Sequence, residues 1–152
     1  MSIRISQMRY HSIYVDQARY ATSIVAKYLD NATVKASKDF YNSTLPSDII
    51  FTKADTSTSD EQVDKLTRKF NIHYRSCIGS LNYLLSTIVD LSFAVHKLAK
   101  FSSNPGKVQF EGLVHILIYI KYNKNLCLKY YSDMNDAPVS DLLRQASNKT
   151  EN

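Results

Sequence analysis

The sequence lacks the residue patterns on which several common functional sites depend. Its 152 residues include only three glycines, too widely spaced to form a glycine-rich phosphate loop. Two distant cysteines, Cys77 and Cys127, exclude a cysteine-based zinc motif, and with no signal-peptide pattern they fit a reducing compartment. No apolar run approaches the roughly 20 residues that a membrane-spanning helix needs. The longest such run is residues 116–120, so no membrane-spanning segment is expected.

What the chain does contain is a moderate positive charge and many tyrosines. Nineteen Lys and Arg against 14 Asp and Glu give a net charge of +5, and there are 11 tyrosines. The positive excess lies in residues 1–40, 71–106 and 107–131, whereas residues 41–70 and 132–152 are net negative. This charge favours weak attraction to a polyanion, and tyrosine rings suit both packing and base stacking, but neither identifies a partner.

Hydrophobic periodicity in the first half predicts two strands, one helix and a long connector. Apolar and polar side chains alternate in residues 3–6 and 13–16, which is typical of a β-hairpin. Apolar positions then recur with helical spacing over residues 18–28, and Asp30 marks the end of that helix. Residues 31–58 show no period and are rich in turn-forming residues.

The second half of the chain predicts helices followed by one strand. Apolar stripes with helical spacing run through residues 74–88, 91–98 and 108–122. Residues 104–106 are expected to end the second of these helices, and residues 127–131 predict a strand. The pattern as a whole predicts an α+β protein that is mostly helical.

Several residues are expected to set helix ends and helix packing. Ser59 and Gln62 match a capping box that begins a short helix. Asp90 is expected to cap the helix over residues 91–98. Gly79 and Ser80 are expected to let two helices approach closely, because the wider sequence around them lacks the second glycine and the strand of a nucleophile elbow.

No complete catalytic or metal site is predicted from the sequence. His73 and Cys77 have helical spacing for a ligand pair, but no further ligand has matching spacing, and His96 and His115 are isolated. Packing or capping roles are therefore preferred for all four residues.

Two groups of residues contain carboxylates in patterns that partly resemble metal sites. Residues 14–17 read Tyr-Val-Asp-Gln, whereas reverse-transcribing polymerases carry Tyr-x-Asp-Asp, whose paired carboxylates hold two magnesium ions. Asp16 alone cannot do this, so a strand running into a helix cap is preferred. The acidic group Asp133, Asp136 and Asp141 lies too close to the last residue for a nuclease fold and predicts a solvated turn.

A longer pattern carries a family resemblance. Residues 74–84, then 90–95, then Phe101 with residues 104–105, match in order and spacing a stretch of the reverse transcriptase of copia-type LTR retrotransposons. Residues 15–20 resemble the strand and helix that follow the polymerase active site in that family. The sequence is thus similar to the C-terminal part of such a reverse transcriptase over roughly residues 1–131.

The resemblance implies a domain organisation. Residues 1–17 would be remnant strands of the polymerase palm, and residues 18–58 a helix and long connector. Residues 59–131 would form the helical block of thumb and connection with its terminal strand. Residues 132–152 would be a polar tail before a missing ribonuclease H domain. Both active sites would lie outside the chain, which would be inactive by itself and hold no cofactor, since magnesium belongs to the missing palm.

The resemblance also implies partners. The thumb helices of the family contact the primer–template backbone without reading sequence, and the rest of the polyprotein is the other expected partner. Localisation would be cytoplasmic or nuclear, or in a virus-like particle, with no membrane partner. For any one basic position the alternative is an ordinary solvated charge. The basic positions expected to contact phosphates are Arg19, Lys27, Arg75, Lys97, Lys100 and Lys107.

The chain departs from the family pattern at several positions, which leaves alternatives open. It has Ile88-Val89-Asp90 where the family has Arg-Pro-Asp, and His115 and Ile118 where a later helix carries two arginines. Such losses of charge fit drift in an unselected copy as well as a divergent branch. The alternatives are a helical protein-interaction module, or a non-functional relic of a decayed element.

Overall fold

The computed structural model describes residues 3–7, 12–29, 43–45 and 50–131. These residues form three strands and five helices, which confirms the α+β class with mostly helical content. The strands are β1 (Arg4–Gln7), β2 (Ile13–Asp16) and β3 (Cys127–Tyr130). The helices are α1 (Ala18–Tyr28), α2 (Asp60–Phe70), α3 (Tyr74–Leu84), α4 (Ser92–Ala99) and α5 (Lys107–Asn123). None of these helices is both long enough and apolar enough to cross a membrane.

The three strands form one antiparallel sheet in the order β1-β2-β3. The predicted hairpin is confirmed, with Ile5 opposite Val15, and β3 adds to the other side of β2, with Leu128 opposite Val15. The apolar rows of this sheet remain in contact with solvent: Ile5 is 70% exposed and Tyr130 is 56% exposed. Because apolar sheet faces are normally covered, this face is a candidate contact surface.

Helix α5 lies at the centre of the helical part. The sequence pattern predicts a helix with one apolar side, but Ile116, Leu117, Ile118, Tyr119 and Ile120 are all buried. Five consecutive buried residues cover the whole circumference of a helix, since each residue turns by about 100°. Helices α1, α2 and α4 and the short 3-10 turn Lys53–Asp55 pack around it.

An aromatic cluster joins three of the helices. The ring of Phe110 on α5 stacks on that of Phe70 on α2, with centroids 5.3 Å apart. The ring of Tyr74 on α3 meets Phe110 edge to face at 5.2 Å. Offset and edge-to-face pairs of this kind add to the stability supplied by burial. Phe110 is therefore the side chain through which α2, α3 and α5 are held together.

The described end of the long connector packs on the helical part. Phe51 is buried, and a Cβ atom placed on Gly112 of α5 would lie 2.8 Å from its ring, so the glycine makes room for the phenyl group. Ser57 donates a hydrogen bond of 2.7 Å to the carbonyl oxygen of Pro105. Phe51 and Ser57 are thus buried in the fold, which the lack of periodicity in the connector did not predict.

The structure confirms one predicted helix end, without its capping hydrogen bonds, and differs from two others. Ser59 is the N-cap of α2 as expected, but it makes no capping hydrogen bond, and the Gln62 side chain accepts the backbone N–H of Thr58 instead. Asp90 does not cap α4, because its carboxylate accepts the hydroxyl of Tyr119. Helix α4 ends at Ala99, well before residues 104–106, which lead into α5.

Candidate nucleic-acid interface

Helices α1 and α3 pack in opposite directions along a seam of hydroxyl groups. Near the end of α1, the hydroxyl of Tyr28 lies 2.9 Å from that of Ser76, in the first turn of α3. Near its beginning, the ring of Tyr20 meets that of Tyr83 at 5.0 Å. Lys27, which adjoins Tyr28 and lies over its ring, is therefore located beside the N-terminus of α3.

Helix α4 also places its C-terminus at this end of α3. The buried hydroxyl of Tyr74 donates a 3.0 Å hydrogen bond to the carbonyl oxygen of Leu98, one residue before the end of α4. Arg75 and Lys100 follow these two residues closely in sequence. Three exposed cations thus lie at or next to three helix ends that meet near the N-terminus of α3. We call Lys27, Arg75 and Lys100 the basic end.

Two more cations adjoin the basic end and were missed by the sequence analysis. Arg68 and Lys69 lie in the last turn of α2, which leads through Asn71 directly into α3. Residues 41–70 as a block are net negative, so their sum conceals that α2 begins with Asp60 and Glu61 and ends with these cations. The signal was present as an uneven charge distribution along the helix.

The N-terminus of α3 adds to the positive potential of the basic end. Its free backbone N–H groups carry a partial positive charge, and its first turn contains no acidic residue. Arg75 lines a cavity of about 250 Å³, together with Asp64 of α2. The basic end is therefore suited to binding phosphate oxygens, which favour a helix N-terminus flanked by Lys and Arg.

The other three predicted phosphate-binding residues are not at the N-terminus of α3. Arg19 lines a cavity of about 370 Å³ beside the sheet, together with Arg4 and Asp16. Lys107, in the first turn of α5, pairs with Glu111 at 3.5 Å. Lys97 lies one turn before Lys100 on α4, with its ammonium group over the rings of Phe93 and Phe51.

The expectation that Gly79 lets two helices approach closely is wrong. A Cβ atom at this position would meet no atom within 4 Å, so the glycine does not serve close helix packing. Ser80 does lie in the α1–α3 seam, where its backbone carbonyl accepts the hydroxyl of Tyr20. Gly79 instead leaves an open stretch of helix backbone between Arg75 at one end and Tyr83 at the other.

The strand-to-helix interpretation of residues 14–17 agrees with the structure. The carboxylate of Asp16 accepts the Nε of Arg4 at 2.8 Å and the backbone N–H of Ala18 at 3.1 Å. Partial burial raises the pKa of Asp16, but these two hydrogen bonds outweigh it and the net shift is downward. The side-chain oxygen of Gln17 accepts the hydroxyl of Thr87. This site lacks the second carboxylate that two magnesium ions would require, so the donor set does not fit them.

The remaining candidate ligands do not come together. Cys77 is fully buried, and burial raises the pKa of its thiol to about 12, whereas His73 is exposed at the helix end. Across the described parts of the chain, no three His, Cys, Asp or Glu side chains are grouped as a metal site would need. The acidic group Asp133, Asp136 and Asp141 lies outside the described residues.

The stability of the protein is expected to depend on pH through His115. Burial lowers the pKa of His115, and the hydrogen bond between its Nε2 and the carbonyl oxygen of Ser43 opposes this only in part. The unfolded chain therefore binds a proton more readily, with a pKa of about 6.5. The free energy of unfolding should fall as the pH drops below that value. Urea unfolding at pH 7.5 and 5.5 measures this, and His115→Gln should reduce the difference. An unchanged difference would contradict it.

A curated protein matches part of the chain. It is the Retrovirus-related Pol polyprotein from transposon RE1 of Arabidopsis thaliana, 35% identical over 78 residues. The match covers 45% of this chain and 5% of that polyprotein, so the chain spans a small part of the relative's length. No family model and no solved structure matches the chain. The similarity supports an origin of the chain in a retrotransposon polyprotein.

Proposed function

We propose that the chain is a segment of a copia-type reverse transcriptase that holds the primer–template duplex by its backbone and performs no polymerisation itself. The observation that carries the proposal is the gathering of Lys27, Arg75 and Lys100 from three helices at the N-terminus of α3. The similarity to a transposon polyprotein supports the same proposal. By the family resemblance, the three helices would belong to the thumb.

The chemistry of the basic end suits a regular polyanion. Phosphate contacts from Lys and Arg release condensed counterions, so they stabilise binding without reading sequence. Cations on different helices are held apart by the packing of those helices, which the hydrogen bond from Tyr74 to Leu98 helps to fix. Cations on several helices would contact several phosphates of one polyanion at once.

A titration with salt tests the proposal. The protein should bind a labelled RNA–DNA duplex, measured by fluorescence anisotropy, and its affinity should fall steeply between 50 and 200 mM salt. We expect a slope of log K against log[salt] of about −0.9 for each phosphate contact. No nucleotide should be added to the primer in the presence of magnesium. Binding that is absent or insensitive to salt, or measurable primer extension, would refute the proposal.

Gly79→Ala separates binding from stability. Alanine is favoured over glycine within a helix by about 1 kcal/mol, and the site has space for a methyl group, so the free protein should become slightly more stable. If the duplex backbone approaches α3 here, the methyl group should weaken duplex affinity by roughly tenfold, equivalent to about 1.4 kcal/mol. Urea unfolding and anisotropy measure the two effects.

Thr22→Ala is the matched control for this substitution. Thr22 is exposed on α1 and lines a groove with Lys124 of the α5 end, away from α3. The Thr22→Ala substitution should also stabilise α1 slightly, because alanine has a higher helix propensity than threonine. It should leave duplex affinity unchanged. If the Gly79→Ala variant and the unmodified protein bind the duplex with equal affinity, the duplex does not contact α3 at this position.

A protein-interaction module is the second candidate function. It is favoured by the exposed apolar sheet face of Ile5, Ile13 and Tyr130, which other parts of a polyprotein would cover. Sedimentation over a range of concentrations distinguishes the candidates. A discrete oligomer that has no affinity for the duplex would favour the interaction module.

A further inference from the structure

Helix α4 presents an aromatic ring to solvent on its outer surface. Phe93 is 73% exposed, and Val89, one turn before it, is 57% exposed. Both residues lie outside the aromatic cluster that holds α2, α3 and α5 together. An exposed phenylalanine of this kind contributes little to the stability of the fold by burial, and its ring is accessible to a ligand.

Basic side chains accompany this ring along the same face of α4. The ammonium group of Lys97 lies 5.6 Å from the centre of the Phe93 ring and 5.4 Å from that of buried Phe51. Contact with two rings holds this ammonium next to Phe93. Lys100 is exposed and follows Phe93 by two helical turns, so it lies on the same side of the helix.

An exposed ring flanked by cations has a specific binding chemistry. The face of a nucleobase stacks on an aromatic side chain, while the adjoining phosphates pair with Lys and Arg. Bases within a duplex are already stacked on their neighbours, so an unpaired base fits the ring better. A purely apolar protein surface over this ring would also remove the exposed ammonium group of Lys100 from water, which disfavours that partner.

We propose that Phe93 stacks on an unpaired base of a single-stranded nucleic acid, with Lys97 and Lys100 at the flanking phosphates. The inference rests on the proposed function and extends it from the duplex to a single-stranded overhang. Lys100 also belongs to the basic end, so a strand on α4 would continue from a duplex bound there.

A tryptophan reporter tests the stacking directly, because the sequence contains no tryptophan. The emission of a Phe93→Trp variant should be quenched by oligothymidylate and by a duplex with an overhang, at the concentrations at which anisotropy shows binding. A blunt duplex should bind without this quenching. Tyr130→Trp, on the exposed sheet face, is the matched control and should respond to none of them.

The outcomes separate this inference from the proposed function. Binding of the overhang duplex without quenching in Phe93→Trp would overturn the inference and leave duplex binding intact. Equal quenching by the blunt duplex would also overturn it. Absence of any binding would overturn both. A spectral shift that depends on protein concentration, without nucleic acid, would identify a protein contact and overturn the inference.

Affinity measurements give a second readout. Phe93→Ala should weaken binding of oligothymidylate by about 5- to 100-fold, since stacking on one base contributes that much. Phe93→Tyr retains the ring and should stay within about threefold of the unmodified protein. Neither variant should alter blunt-duplex affinity. Equal affinity of Phe93→Ala and the unmodified protein for the single strand would contradict the proposal.

Discussion

Replacing Phe110 with alanine is expected to lower the free energy of unfolding by about 3–5 kcal/mol. Phe110 is fully buried on the central helix and its ring contacts Phe70 of α2 and Tyr74 of α3. Its removal leaves a cavity where three helices meet, and also ends two aromatic contacts that contribute beyond buried area. Urea unfolding followed by circular dichroism measures the loss. For a domain of ordinary stability it amounts to a large share of the total.

The same substitution at an exposed position provides the control. Phe93→Ala removes an identical side chain from a site that is 73% exposed, so the free energy of unfolding should change by no more than about 0.5 kcal/mol. If the two variants lost similar stability, the assignment of Phe110 to the centre of the helical part would be wrong. If the Phe110→Ala variant fails to fold, Phe110→Leu, which fills most of the space, should recover the fold.

Neutralising the basic end is expected to have the largest effect on nucleic-acid binding. The triple variant Lys27→Gln, Arg75→Gln and Lys100→Gln should bind the RNA–DNA duplex roughly 100-fold more weakly at low salt, since three phosphate contacts are lost. The salt slope should become shallower by about 1 for each contact removed. All three side chains are exposed, so the fold should be retained. Anisotropy titrations at several salt concentrations measure both quantities.

A second triple variant with the same loss of charge serves as the control. Lys53→Gln, Lys124→Gln and Lys129→Gln remove three exposed cations that lie outside the basic end and are not among the six predicted phosphate contacts. This variant should retain most of the affinity, because general attraction falls off over the Debye length of about 8–10 Å. Equal weakening by the two triple variants would show that binding depends on net charge and not on the arrangement of three helices.

Local patterns predicted the elements well where neighbouring residues decide the structure. Alternation in residues 3–6 and 13–16 and helical spacing in residues 18–28 depend on the side of each element that is buried, so β1, β2 and α1 were found close to their observed bounds. Helix ends were predicted less well. The side chain of Gln62 bonds to Thr58, and that of Asp90 bonds to Tyr119. The spacing of residues in the sequence does not show that these partners replace the predicted capping bonds.

The candidate interface was predicted only in part for a related reason. The sequence indicates which residues are basic, and the family resemblance suggested six of them. Whether Lys27 and Arg75 lie close together depends on the antiparallel packing of α1 on α3, which rests on contacts such as that of Tyr28 with Ser76. Contacts between residues so distant in sequence leave no local period to detect. Arg68 was not predicted as part of the interface, because its charge was summed with those of acidic neighbours in the sequence.

Two of the three glycines have structural surroundings that the sequence alone does not reveal. By itself the sequence determined the α+β class, the order of most elements, a positive charge and the absence of a glycine-rich phosphate loop, because these follow from composition and local periodicity. Only the tertiary structure decided that Gly112 accommodates Phe51 and that Gly79 faces open space. It likewise decided that residues 116–120 of α5 are buried on every side and that three cations lie near the N-terminus of α3. These features depend on which helix surfaces meet, and that choice is made by the packing of the whole core.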